Sequence, residues 1–77
     1  MTILGSIKYE QISKVLRIIG FEMVRQKGSH SLWKHSDGRM VTLPVHKGKN
    51  LKIGLLHKII TKDIGITIND FLKIIKD

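Results

Sequence analysis

Four histidines, His30, His35, His46 and His57, are the side chains of this sequence that exchange a proton near neutral pH. His30 follows Lys27-Gly28-Ser29, with Arg25 and Lys34 close by in sequence. A glycine and a small polar residue let the backbone turn sharply, leaving an imidazole among cations, where a phosphate can be held and a proton moved. Other catalytic sets are missing. There is no Gly-rich phosphate loop, Ser-His-Asp set or carboxylate pair, and the acidic residues are too few and scattered for two-metal nuclease chemistry. The spacing of His30 and His35 suits neither a strand face nor a helix turn, so neither a metal nor another cofactor is expected. Without cysteine, disulfides, thiolate chemistry and Cys-based zinc sites are excluded, and a reducing cytoplasm is the expected location.

Histidine beside lysine and arginine is nearly sufficient for metal-free RNA cleavage. A base takes the proton of a ribose 2′-OH, which attacks the adjacent phosphate. Cations stabilise the phosphorane, and an acid helps the 5′-oxygen leave. One imidazole serves as base or acid, and only RNA carries the internal nucleophile. The charge distribution points to the same partner class. Formal net charge is +8, and the stretch from Arg25 to Lys62 holds nine basic residues against Asp37 alone, while the remainder balances to zero. Charge concentrated in this way favours a polyanion, nucleic acid first among them.

The elements that must position these residues follow from periodicity. At 77 residues the chain is read as a single domain, 1–77, with a small core. Ser6 is placed to cap a helix from about Ile7 to Ile19, with Ile12, Val15, Leu16 and Ile19 as one apolar stripe and Gly20 as its stop. Phe21 to Lys27 changes period, Phe21 and Met23 alternating with Glu22, and is read as a strand. Gly28-Ser29 turns the chain into a second strand, His30 to His35. Asp37-Gly38 marks a hairpin to a third, Met40 to Val45, in which Pro44 fits an edge or a strand end. After a basic, glycine-containing loop, a helix from about Lys52 buries Leu56, Ile59, Ile60 and Asp63/Ile64 and closes at Gly65. Gly54 in its first turn would allow close approach to the sheet or to a ligand. Thr67-Ile68-Asn69-Asp70 resembles a capping box opening a short last helix with Phe71, Leu72 and Ile75. No run approaches the ~18 apolar residues of a membrane span.

The expected fold class is therefore α+β, in the order α-β-β-β-α with a three-stranded antiparallel sheet and a short C-terminal helix. Two amphipathic helices need one sheet face, which leaves the other open. In the second strand Ser31, Trp33 and His35 point one way and His30, Leu32 and Lys34 the other. Trp33 has the most area to gain from burial, so its side is assigned to the core rather than to base stacking. His30 and Lys34 then share the open face. His35 is read as structural or exposed, and His57 as an exposed helix position.

The ordered pieces Ile19-Gly20-Phe21-Glu22, Arg25-Gln26-Lys27, Gly28-Ser29-His30, the Asp-Gly hairpin, Leu43-Pro44-Val45-His46, Leu51-x-x-Gly54-x-Leu56-x-x-Ile59-Ile60 and Gly65-Ile66-Thr67 before Phe71-Leu72 resemble the HicA family of toxins. The resemblance spans roughly Lys8 to Leu72. It implies a fold like the double-stranded-RNA-binding domain and a toxin of a type II toxin–antitoxin system. The implied activity is ribosome-independent cleavage of mRNA, with a HicB-type antitoxin covering the active site. The family's catalytic histidine, in the Gly-Ser-His motif, falls on His30, and its Pro-x-His element on Pro44-Val45-His46. His46 is read as supporting loop geometry, contacting phosphate or serving structure. One departure is Leu55, where the family commonly has threonine after the motif glycine. Arg25, Lys27, Ser29, Lys34, His46, Lys47, Lys49 and Lys52 are the expected RNA contacts. Lys47, Lys49 and Lys52 suit an acidic antitoxin equally well. The alternative to an endoribonuclease is a non-catalytic RNA-binding module of the same fold. DNA binding is a further possibility, without a helix-turn-helix to support it.

Overall fold

Trp33, at the centre of the sequence's only tryptophan-bearing strand, is fully buried, and the architecture is built over it. The computed structural model describes residues 6–45 and 49–76. Helix α1 (Tyr9–Ile19) leads into strands β1 (Phe21–Lys27), β2 (His30–His35) and β3 (Met40–Pro44). Helix α2 (Ile53–Lys58) continues directly as a π-helical segment, Ile59–Ile64, and α3 (Ile68–Lys76) follows. The strands form one antiparallel sheet in the order β1-β2-β3. This is the α-β-β-β-α order with a further helix that periodicity implies, and the helices pack on one sheet face. Ile12, Val15 and Leu16 of α1, Leu56, Ile59, Ile60 and Ile64 of the second helical stretch, and Phe71 of α3 meet Phe21, Trp33, Val41 and Leu43 of the sheet. Among the described residues no helix is long and apolar enough to cross a membrane.

Several local expectations are corrected. Helix α1 starts at Tyr9 rather than Ile7, and its N-cap is Lys8, whose backbone N–H donates to Gln11 Oε1 at 2.9 Å. Ile7 is buried in extended chain instead: its carbonyl accepts from Leu51 N–H at 2.9 Å, and Lys8 bridges Asn50. Strand β3 ends at Pro44, one residue early: the Val45 N–H continues the register, donating to Ser29 O at 2.6 Å, but Ser29 already belongs to the turn and leaves no strand opposite. Met23 does not share the burial of Phe21; β1 is an edge strand, and only its first residue is covered. Gly54 makes no close approach to the sheet, since a Cβ there would meet nothing within 4 Å.

The second helical stretch was expected to be regular and is not. From Ile59 it widens to π winding, in which residues five apart stack, so Ile59 and Ile64 both reach the core. The same spacing brings Lys58 Nζ to 3.3 Å from Asp63 Oδ2. The Thr61 hydroxyl donates to the His57 carbonyl at 2.7 Å, in the turn where the helix widens. Helix α3 is capped as its sequence implies, Thr67 Oγ1 accepting from Asp70 N–H at 3.0 Å.

One polar cluster ties the hairpin to both helical ends. His35 Nδ1 lies 3.1 Å from both the Asp37 N–H and Asp37 Oδ1, and its Nε2 lies 3.3 Å from the Ile19 carbonyl. The His35 ring meets Phe21 edge-on, and Arg39 lies over the other side of this group, 5.2 Å from the Phe21 centroid. Arg39 also donates from Nη1 to the Ile64 carbonyl and from Nε to Asp37 Oδ2 at 2.8 Å. His35 is thus structural. Gly20 permits its approach: at φ +115° it closes α1, and a Cβ there would lie 3.0 Å from His35 Nε2.

Two tests follow from these contacts. Gly28 (φ +58°) has open space around it, so Gly28→Ala adds backbone strain alone, roughly 1–3 kcal/mol. It is expected to lower Tm by at least about 4 °C. Gly20→Ala adds the collision with His35 and is expected to lower Tm further in the same thermal melts. The second test concerns acid. The Arg39 backbone N–H, and then its guanidinium, hold the Asp37 carboxyl below the usual carboxylate range. A lowered folded pKa stabilises the fold above the unfolded value of ~4, and that contribution is lost as pH falls through the folded one. Urea melts across that range are expected to show a smaller acid loss in Asp37→Asn than in the wild type.

Candidate active site

The turn Gly28-Ser29 joins β1 to β2 as a two-residue hairpin loop, since Lys27 and His30 are register partners. Positive φ at Gly28 and not at Ser29 is the pattern of a type II′ turn. Ser29 is exposed there, and its carbonyl is held by Val45 N–H, which pins the turn to the end of β3. His30 therefore stands on the central strand between Lys27 on one side and Pro44 on the other. Its side chain is exposed, and among the described residues the imidazole has no hydrogen-bond or ion-pair partner.

Which cations reach it is decided by a β-bulge. Simple alternation from the buried Phe21 would put Met23, Arg25 and Lys27 all on the core side. The register slips between Met23 and Arg25, with Val24 the unpaired residue, and beyond the slip Arg25 faces Leu32 and Lys27 faces His30. Parity is thereby reversed, and both cations join the open face. Lys27 is directly opposite His30, with Cβ atoms about 5 Å apart in such pairs, and Arg25 is its diagonal neighbour. The three line a single hollow of about 240 Å³ with Ser31, Leu32 and Thr42.

The remaining expected contacts are distributed elsewhere. Lys34 shares the face but lies four residues along the strand, about 13 Å from His30. It is paired opposite Glu22 and lines a different hollow with Val24 and His35. Lys49 and Lys52 are exposed beside Pro44, in a third hollow. His46 and Lys47 lie outside the described residues. Sequence reasoning missed Thr42, whose place was legible in the register: the Asp-Gly hairpin sets Lys34 opposite Met40, and hence Leu32 opposite Thr42. Trp33, expected in the core, is there; its Nε1–H donates to Ser31 Oγ at 2.9 Å, and Arg17 covers its ring at 5.0 Å.

The profile of a family described as "HicA toxin of bacterial toxin-antitoxin" matches residues 9–66, which include every strand and the Gly-Ser-His turn. The chain belongs to the HicA toxin family. Membership assigns it the toxin role of a toxin–antitoxin pair and implies an antitoxin partner. No curated protein matches it. In this HicA toxin the family profile covers α1, the sheet, α2 and the π-helical segment, and stops before α3.

If a single-stranded polyanion binds the His30 face, Arg25→Ala and Lys27→Ala should each reduce the slope of log affinity against log salt by about 0.7. Lys34→Ala should reduce it less, because Glu22 opposite already offsets its charge. Filter binding at a series of salt concentrations measures all three.

Proposed function

We propose that this HicA toxin is an endoribonuclease that cleaves mRNA without a metal ion, with His30 moving the proton. The observation that carries it is the grouping of an exposed, unpartnered His30 with Lys27 and Arg25 in one hollow on the helix-free face of the sheet. His30, as the neutral imidazole, takes the 2′-OH proton as the ribose oxygen attacks the adjacent phosphorus. Arg25 and Lys27 stabilise the added negative charge of the phosphorane. The bond to the 5′-oxygen then breaks, that oxygen takes up a proton while His30 gives up the one it gained, directly or through water, and the products are a 2′,3′-cyclic phosphate and a 5′-hydroxyl. Atoms and charge balance without a co-reactant. Ser29, Lys34, His46, Lys47, Lys49 and Lys52 are proposed to contact the RNA outside the reacting phosphate. The cytoplasm, where mRNA is found, is the proposed location.

The partner is proposed to be a HicB-type antitoxin covering this face. An open sheet face bearing Arg25, Lys27 and Lys34 together with exposed Val24 and Met40 suits a protein cover that is acidic and partly apolar.

Purified protein is expected to cut RNA in excess EDTA. His30→Ala should lower that rate by at least ~100-fold, the usual contribution of a general base or acid. Its melting temperature and RNA affinity should stay close to wild type. Binding without cleavage by the wild type would instead mark a non-catalytic RNA-binding module, and equal cleavage by the His30→Ala variant would remove His30 from the chemistry.

A further inference from the structure

Beside the His30 hollow lies a larger one of about 410 Å³, lined by Pro44, Lys49, Asn50, Leu51, Lys52 and Leu55. Pro44, the strand partner of His30, is a wall of this second hollow and places it at the His30 end of the sheet. The floor is apolar. Leu51 is buried and Pro44 half-buried, but Leu55 remains 38% exposed. A lone exposed leucine on a convex surface is ordinary. Here it lies in a concavity, flanked by two exposed lysines that among the described residues make no ion pair. Asn50, at the rim, carries both a donor and an acceptor in its side-chain amide.

Apolar floor, amide and cations together match one chemical object, a nucleobase attached to its phosphate. The ring's flat face would rest on Leu55 and Pro44, its polar edge on the Asn50 amide, and the phosphates on Lys49 and Lys52. The size falls within the range of small-ligand sites, which is more than a phosphate alone requires. A base can enter only if it is out of a helical stack, as in single-stranded RNA. An acidic, partly apolar protein would engage the lysines and Leu55 as well; the amide at the rim and the nucleotide-sized hollow are what favour a base and its phosphate.

We propose that this hollow is a base subsite, holding an unpaired nucleotide next to the phosphate that His30 faces. It rests on the RNA-cleaving reading of His30, and it deepens that reading by making single-stranded RNA the substrate. Leu55 is then a specificity contact. The departure from threonine at this position changes the floor of a binding site as well as the outer surface of α2.

The test uses the full chain and an uncleavable probe, 2′-O-methyl oligouridine, against an abasic 2′-O-methyl ribose-phosphate oligomer of equal length. Oligouridine is expected to move the Leu55 methyl NMR signals of the wild type, and the abasic oligomer to leave them in place. Leu55→Ser should weaken oligouridine binding about 5-fold or more, through the apolar contact that the leucine loses. It should leave abasic binding unchanged, and Leu55→Met should retain oligouridine binding. Oligouridine that binds with Leu55 unmoved, or equally well to Leu55→Ser, overturns the subsite while leaving the RNA reading of His30 intact. Failure of the wild type to bind either oligomer removes both.

Discussion

The burial of Trp33 is the interaction on which the placement of everything else depends. A tryptophan withdraws about 150–250 Å² from water, worth roughly 4–6 kcal/mol by area. Leu32, its neighbour on the opposite face, could return no more than roughly 3 kcal/mol if the strand were turned over. The buried indole N–H is also satisfied, donating to Ser31 Oγ, which itself donates to the Leu43 carbonyl at 3.1 Å. Strand β2 is therefore held in one orientation by area and by a closed polar chain. Because side chains alternate strictly along a strand, fixing Trp33 inward fixes His30 outward.

An outward histidine gains chemistry only from its neighbours, and these come from both flanking strands. Lys27 and Arg25 reach it through the bulge at Val24; Pro44 and Thr42 reach it through the Asp-Gly hairpin. That hairpin is stiffened by Asp37, Arg39 and His35, which tie it to the ends of α1 and of the π-helical segment. Stability and site are thus built on opposite faces of the same three strands. The helix-covered face determines which residues are outside, and the uncovered face carries the cations that a phosphate requires.

Much of this was legible. The bounds of β1 and β2 follow from turn chemistry at Gly20 and Gly28-Ser29, and the sheet topology from two tight connections. The open face followed from the size of Trp33. Less legible were features set by partners distant in sequence. Ile7 looked like the first turn of a helix, because its pairing with Leu51 is a long-range contact with no local signature. The π winding at Ile59 fits a core whose shape is made by other elements. Asp63 and Ile64 both fitted the helical stripe, and five-residue stacking placed Ile64 inside with Asp63 toward Lys58.

The Lys27-Gly28-Ser29-His30 turn, the charge between Arg25 and Lys62, and the outward orientation of His30 are determined by the sequence itself, through backbone conformation, composition and period-two alternation. The family resemblance was legible there too. Which cations accompany His30 was decided only in the tertiary structure. Nearness in sequence had grouped Arg25, Lys27 and Lys34, and strand parity had set Lys34 with His30 on the open face. The bulge brings the first two beside the imidazole, while strand length and Glu22 set the third apart. A bulge is a property of two paired strands, and alternation read along one of them would have turned Arg25 and Lys27 toward the core.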